Sequence, residues 1–457
     1  MSIGRAFAHL ADLDPDAVAV RCGSDVLTRR ELDLASNRVA HAWTDRVGHD
    51  DLVTISLPNG IDFVLACIAT WKLGATPQPL SPRIGAGERT AIVELADPAL
   101  VVDGPLETSD DDSPLPDLAA SSWKAPTSSG STGRPKIVRA AAPATVDPDG
   151  CVAAFVPTDA VQLVAGPLFH AAPFVYAMRG LMTGHELVVL PRFDAATALR
   201  TIGEHRVTWT MLVPTMMHRI WRLGDDVRDA ADVSSLESIM HMGARCAPWL
   251  KQAWIDWLGP DRVVEVYAGT ESQGLTMITG REWLDHRGSV GRGVSGSAFR
   301  VVRADGGPAD PGELGEIVMR RDGPPTYSYV GAEATIRDGW HTLGDSGRMD
   351  ADGYLYVEDR LDDVIVTGGV KVQPADVEAV LEEHPCVRSA VAVPRDDDEL
   401  GHTVHAVVDV SDAHVAEDQL VAWTRERLDP EKRPRSWQLV REPLRADTGK
   451  VRRSDWR

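Results

Sequence analysis

The stretch Pro126-Thr-Ser-Ser-Gly-Ser-Thr-Gly-Arg-Pro-Lys-Ile-Val138 crowds hydroxyls and glycines ahead of a proline–lysine pair. A Walker-type phosphate loop needs GxxxxGK[ST], its lysine opening a helix under the β- and γ-phosphates. Here Gly130 and Gly133 are three apart, Pro135 stands before Lys136, and Ile137 replaces the serine or threonine. Pro135 biases Arg134 away from helical geometry and so leaves the lysine on an extended segment. That argues against a Walker machine. The hydroxyls and amides of Ser128, Ser129, Gly130, Ser131, Thr132 and Gly133 still make a cradle for an anion. Taken alone, such a loop also reads as a plain surface turn.

The chain around it has 457 residues, too many for one core, so two or more domains are expected. Its 43% apolar and 25% charged content is that of a soluble globular protein. A formal charge of −21 argues against nucleic acid or an anionic membrane as partner, while leaving room for a local basic site. The five cysteines (Cys22, Cys67, Cys151, Cys246, Cys386) form no CxxC pair and read as reduced thiols. The N-terminal MSIGRAFAHLADLDPD is no signal segment, and no run approaches the ~20 apolar residues of a membrane span. A cytoplasmic protein is expected.

Short apolar runs alternate with helical patterns. Ile61–Lys72 reads as a helix closed by Gly74, while Leu187–Leu190, Trp209–Val213 and Val263–Tyr267 read as buried strands. Alternation of this kind implies α/β layers. Trp249, Trp254 and Trp257 lie near helical spacing and read as a packed face. The acidic patches Asp110–Asp112 and Asp396–Glu399 read as solvated loops. Beyond about residue 360 the texture becomes a compact αβ pattern: strand Val364–Val366, helix Pro374–Glu383, strand Ala390–Val393. The expectation is a large N-terminal multi-layer α/β domain, 1–360, and a small mobile α+β C-terminal domain, 361–457.

Further segments recur in a fixed order. Tyr267-Ala-Gly-Thr-Glu271 follows an expected strand; Trp340-His-Thr-Leu-Gly-Asp345 precedes Asp352-Gly-Tyr-Leu-Tyr-Val-Glu-Asp-Arg360; Leu361-Asp-Asp-Val-Ile-Val-Thr-Gly-Gly369 and Leu444-Arg-Ala-Asp-Thr-Gly-Lys450 come last. From about residue 20 to the end, this set resembles the adenylate-forming superfamily of acyl-CoA ligases, luciferases and peptide-synthetase adenylation domains. The resemblance implies ATP, Mg²⁺ and coenzyme A as co-reactants of a carboxylic acid. Ser128–Lys136 would hold the β- and γ-phosphates, Tyr267 would stack on adenine, and Gly243, Ala244 and Arg245 would form the opposite wall. Thr270 would touch the α-phosphate and Glu271 would bind Mg²⁺, a hard cation that prefers oxygen ligands. Asp345 would take the ribose hydroxyls, and Arg360 the ribose or a phosphate. Lys450 would bridge the acid and the α-phosphate, where charge develops during attack. Asp362 would be the pivot of the small domain.

Each of these residues also has a plain structural reading. Tyr267 and His170 fit a core, Glu271 a buried ion pair, Lys450 a solvated tail, Asp362 a linker, and Gly368-Gly369 a bare turn. Ala268, Leu343 and Ile137 stand where the family commonly has glycine, threonine and glycine, changes that carry no charge and would reshape the site.

An amino-acid-activating member would place a carboxylate early in its pocket. The corresponding Gly166-Pro-Leu-Phe-His-Ala-Ala-Pro-Phe174 has none, which is similar to the acyl- and aryl-acid branch with His170 lining the pocket. Gly368 and Gly369 resemble the glycine pair that admits a pantetheine arm, whether of CoA or of an acyl carrier protein. Pro214-Thr-Met-Met-His218, Leu343-Gly-Asp345 and Val366-Thr-Gly-Gly369 look most like bacterial ligases related to bile-acid-CoA ligases, implying a bulky, polycyclic or branched acid.

Overall fold

The helix expected from Ile61 spans Ile61–Lys72, and it stops where Gly74 takes a φ of +68°, a conformation glycine enters cheaply. Apolar on nearly every face, it is buried throughout its length from Phe63 onward; Lys72 is held by Asp33 at 2.6 Å. The computed structural model describes residues 1–129, 135–411, 415–445, 451 and 453–456. Gly130, Ser131, Thr132, Gly133 and Lys450 lie outside the described residues, and for Ser128, Ser129 and Asp362 only the backbone is described.

The dominant layer is a nine-stranded sheet. Its inner strands Val263–Ala268, Ser238–His241, Trp209–Leu212, Val161–Val164 and Glu186–Val189 run parallel. Helices cover both faces of such a sheet, so its strands read as continuous apolar runs. Parallel strands bring the segments after their C-terminal ends to one edge of the sheet, the usual place for a ligand in open α/β folds. Four segments singled out above follow strands in this way: Gly166–Phe174, Pro214–His218, Gly243–Arg245 and Gly269–Glu271.

Three smaller sheets complete the large domain: a parallel one around Leu52–Ile55, an antiparallel one of Thr127–Ser129, Pro135–Ala140 and Tyr327–Val330, and a five-stranded one ending in Leu355–Arg360. After Arg360 the remaining strands, Ile365–Thr367 to Ser436–Val440, pair among themselves over their own apolar core. The large N-terminal domain and smaller C-terminal domain are both present.

Several boundaries move. The strand read as Leu187–Leu190 is Glu186–Val189: Glu186 already pairs with Val161, and its side chain reaches Arg21 on a neighbouring strand at 2.5 Å. The small-domain strand is Ile365–Thr367 and its helix Pro374–Glu382. The patch Asp396–Glu399 is not wholly a loop: the strand Val387–Asp397 continues through Asp396 and Asp397, which pair with His402 and Gly401 at a hairpin end. Trp254 is buried in the helix Pro248–Leu258, with its ring 5.1 Å from that of Trp257, a packed face.

Burial has a further consequence for the core. His185, His218 and His241 are buried, and loss of hydration holds each imidazole at a pKa of about 4, against an ordinary 6.5. Their contribution to stability is therefore complete above the unfolded value of 6.5 and is lost as pH falls towards 4. Each accounts for roughly 3 kcal/mol over that window. Calorimetric melting temperature should drop steeply between those limits, with His241→Gln removing part of the slope; a flat profile would contradict neutral burial.

Candidate functional site

Thr127–Ser129 and Pro135–Ala140 pair antiparallel, with Ser128 opposite Lys136, so Lys136 stands on a strand as the proline demanded. Its other neighbour is Tyr327–Val330, which sets Tyr329 opposite Val138. The Lys136 ammonium lies 4.0 Å from the Tyr329 ring centroid and 2.8 Å from its hydroxyl. Both converge on one oxygen of Glu271: Lys136 reaches Oε1 at 3.3 Å, and the Tyr329 hydroxyl donates to it at 2.5 Å. Burial, then the Glu271 hydrogen bond, raises the Tyr329 pKa, so the phenol remains a donor.

Glu271 ends a tight turn that leaves the sheet after Ala268. The Ser272 amide donates to the Gly269 carbonyl at 3.0 Å, and Ser272 itself takes a φ of +54°. Gly269 has no room for a side chain, because a Cβ there would lie 2.3 Å from Leu343 Cδ1 and 2.7 Å from Glu271 Oε2. Leu343, the residue that departs from the family pattern, thus closes over the turn. Ile137 is fully buried with Ala96 and Ala125, so that departure belongs to the core. Glu271 is 5% exposed, and among the described residues its Oε2 accepts no hydrogen bond. An unshared carboxylate oxygen in so buried a position fits a hard cation. Among the described residues no three His, Cys, Asp or Glu side chains cluster, so further ligands for such a cation would come from phosphate and water.

A second set assembles beside it. The Tyr267 hydroxyl donates to Asp345 Oδ2 at 2.6 Å, and Arg360 Nε lies 3.0 Å from Oδ1 of the same carboxylate. Asp345 and Arg360 face each other across an antiparallel pair, and Arg360 Nη1 also donates to the Leu343 carbonyl at 2.6 Å. Burial, then Asp345, pushes the Tyr267 pKa well up, keeping it protonated. Gly243 takes a φ of +90° just past Ser238–His241. The Arg245 guanidinium lies between Asp376 of the small domain, at 3.0 Å, and Glu358 of the large one, at 3.6 Å; the expected wall is left to the backbone and Ala244.

His170 is half-buried at the start of the helix Ala171–Met182, its ring 4.6 Å from that of Phe169. Ala172 and Tyr176 of that helix pack among Trp209, Met211, Met240, Val266 and Met277. A cavity of about 350 Å³ is lined by Pro167 and Phe169 of the Gly166–Phe174 segment together with Asn59, Arg83, Arg192 and Phe193, and by none of the nucleotide-motif residues.

Two arginines of the small domain bracket the segment that carries Lys450. Arg445 pairs with Glu378 at 2.8 Å and Glu382 at 3.3 Å; Arg453 bonds Glu378 and lies 3.3 Å from Asp363 and 3.7 Å from Asp359. Gly368 and Gly369, both at positive φ, form an exposed two-residue hairpin turn, and the Gly368 amide donates to the Leu400 carbonyl at 3.0 Å.

Sequence reasoning missed Tyr329 and a second lysine, Lys124. The Lys124 ammonium is buried, 3.4 Å from the Thr270 carbonyl, and burial lowers its pKa to about 8.

A model of the AMP-binding enzyme family matches residues 7–126 and 125–324, and one of the AMP-binding enzyme C-terminal domain matches 376–450. The chain belongs to the AMP-binding enzyme family. The feruloyl-CoA synthase of an Amycolatopsis species is 31% identical to this AMP-binding enzyme over 98% of this chain and 96% of its own length. The 2-succinylbenzoate–CoA ligase of Bacillus licheniformis is 29% identical, over 94% of each. The o-succinylbenzoate CoA synthetase of Bacillus subtilis, solved with an acyl-adenylate intermediate, shares the fold with a TM-score of 0.85 at 24% identity, across 99% of this chain and 97% of that one. These relatives put the enzyme in the acyl-CoA ligase branch of the adenylate-forming superfamily, the AMP-forming acyl-CoA synthetases.

Proposed function

We propose that this AMP-binding enzyme activates a bulky, largely apolar carboxylic acid with MgATP and passes the acyl group to CoA. The carboxylate oxygen attacks the α-phosphorus and pyrophosphate leaves; the CoA thiol then attacks the acyl carbonyl and AMP leaves. The observation that carries this reading is the convergence, from three distant segments, of Lys136 and Tyr329 on one oxygen of Glu271 whose other oxygen is left unshared. Glu271 would hold Mg²⁺, which when bound offsets phosphate charge. Lys136 and the Ser128–Gly133 loop would hold the β- and γ-phosphates, and Thr270 the α-phosphate. Tyr267, with Gly243 and Ala244 opposite, would flank adenine, while Asp345 and Arg360 take the ribose.

Lys450 would neutralise the reacting oxygens in the first step, and the Gly368-Gly369 turn would admit pantetheine in the second, with Asp362 as the pivot. We place the domain division after Arg360. The apolar wall beneath His170 supports a bulky, polycyclic or branched acid. Free cysteines and the lack, among the described residues, of a helix able to cross a membrane fit a cytoplasmic setting.

The test is pyrophosphate release across a panel of aryl, branched and polycyclic acids, followed by thioester formation with free CoA or a holo-carrier protein. We expect acid-dependent release and a CoA thioester. Exclusive transfer to the carrier would replace CoA as acceptor, and no acid-dependent release would overturn the reading. Within that panel, His170→Ala should change the order of acid preference and leave the KM for ATP within about twofold; equal losses with every acid would mark His170 as structural.

A further inference from the structure

The environment of Lys124 is unusual for a buried cation. The residue is 4% exposed, and the one hydrogen bond of its ammonium among the described residues is the 3.4 Å contact to the Thr270 carbonyl. An ammonium has three donors, and burying one without a carboxylate partner is costly. No described carboxylate lies within 4.0 Å of it; contrast Lys251, buried on Glu265 at 2.5 Å, and Lys72 on Asp33 at 2.6 Å.

More positive charge surrounds it. The Lys124 ammonium and the Arg179 guanidinium each lie 5.5 Å from the centroid of the Trp123 ring. Among the described residues Arg179 makes no ion pair, and Arg321 donates to the Ser272 carbonyl at 3.2 Å. The carboxylate within electrostatic reach of Lys124 is Glu271, which already serves Lys136 and Tyr329. A metal ion on Glu271 would leave Lys124 still less compensated.

Arg179, itself exposed, projects from the last turn of the helix Ala171–Met182, three residues after Tyr176, which packs on Trp209 in the apolar wall. The excess positive charge thus borders the acid side of the site, whereas Lys136 stands on the strand that leaves the phosphate loop. We propose that the acid activated here carries a second anionic group, a carboxylate or a phenolate on its apolar body, which is bound by Lys124 with Arg179 beside it. This rests on the ligase reading above and deepens it to a substrate class.

The test uses cinnamate and two 4-substituted derivatives matched in size to each other, 4-carbamoylcinnamate and 4-carboxycinnamate. In pyrophosphate release the wild type should favour the diacid over the amide by about ten- to hundredfold in kcat/KM, the effect of one charged hydrogen bond in a buried site. Lys124→Met should erase that preference while leaving the KM for ATP unchanged. Ligand-free Lys124→Met should also melt higher than the wild type, since it removes an uncompensated buried charge. The diacid should raise the melting temperature of the wild type and not of the variant. A wild-type preference for cinnamate or the amide, or a variant that melts lower and loses all three acids equally, would overturn the proposal in favour of a structural lysine. A variant weakened in ATP binding alone would assign Lys124 to phosphate and also overturn it. If the diacid stabilises only the wild type but no acid releases pyrophosphate, the anion site stands and the ligase reading fails.

Discussion

Glu271→Gln is expected to lower pyrophosphate release by about 10²- to 10³-fold, the usual scale for losing one preorganised charge at a reacting phosphate. The amide has the same shape, and its oxygen can still accept the Tyr329 hydrogen bond now made at 2.5 Å. The fold should therefore persist, with a circular dichroism spectrum like that of the wild type. What disappears is the negative charge that serves Lys136 at 3.3 Å and, on the reading above, the metal. Glu271→Asp keeps the charge on a shorter arm and should recover part of the loss when Mg²⁺ is raised, whereas the amide should not. Unchanged turnover in Glu271→Gln would remove this carboxylate from metal binding.

Lys450→Ala and Asp362→Pro should fail in opposite half-reactions. Without the lysine, adenylate formation from ATP should fall by about 10²- to 10³-fold. Supplied acyl-adenylate should still be converted to thioester by CoA. Asp362 lies in the single 3-10 turn Leu361–Asp363, between Arg360, bonded to Asp345, and Asp363, bonded to Arg453. Such a turn already holds φ near −60°, so proline suits the present orientation and opposes any other. Adenylate should form and thioester should not. Quenched-flow measurement of both half-reactions decides the matter: equal slowing of the two steps by Asp362→Pro would end the alternating-domain account.

Elements whose cause is local were legible in the sequence. Ile61–Lys72 needed only an apolar run and a glycine able to turn left-handed, and its limits agree with the structure. Lys136 on a strand followed from one proline. Lys124 and Tyr329 were not legible, because neither has a nearby partner in the chain. The contact of Lys124 with Thr270 spans 146 residues and that of Lys136 with Tyr329 spans 193. A lysine in Ser-Trp-Lys-Ala-Pro reads as surface, and only the meeting of sheet, turn and helix buries it. The acidic strand end at Asp396 and Asp397 was hidden for a related reason: charge patterning reports solvent exposure, not backbone pairing.

The carboxylate of Asp345, clasped by Tyr267 at 2.6 Å and Arg360 at 3.0 Å, makes nucleotide entry an exchange of partners. On the ribose role proposed for it, each sugar hydroxyl gained is set against an internal bond loosened, so the net gain per contact is small. Asp345 is therefore not held as an uncompensated carboxylate between turnovers. The same near-balance operates on the way out: spent AMP is let go because Tyr267 and Arg360 reclaim their acceptor, and the catalyst is returned ready for the next ATP.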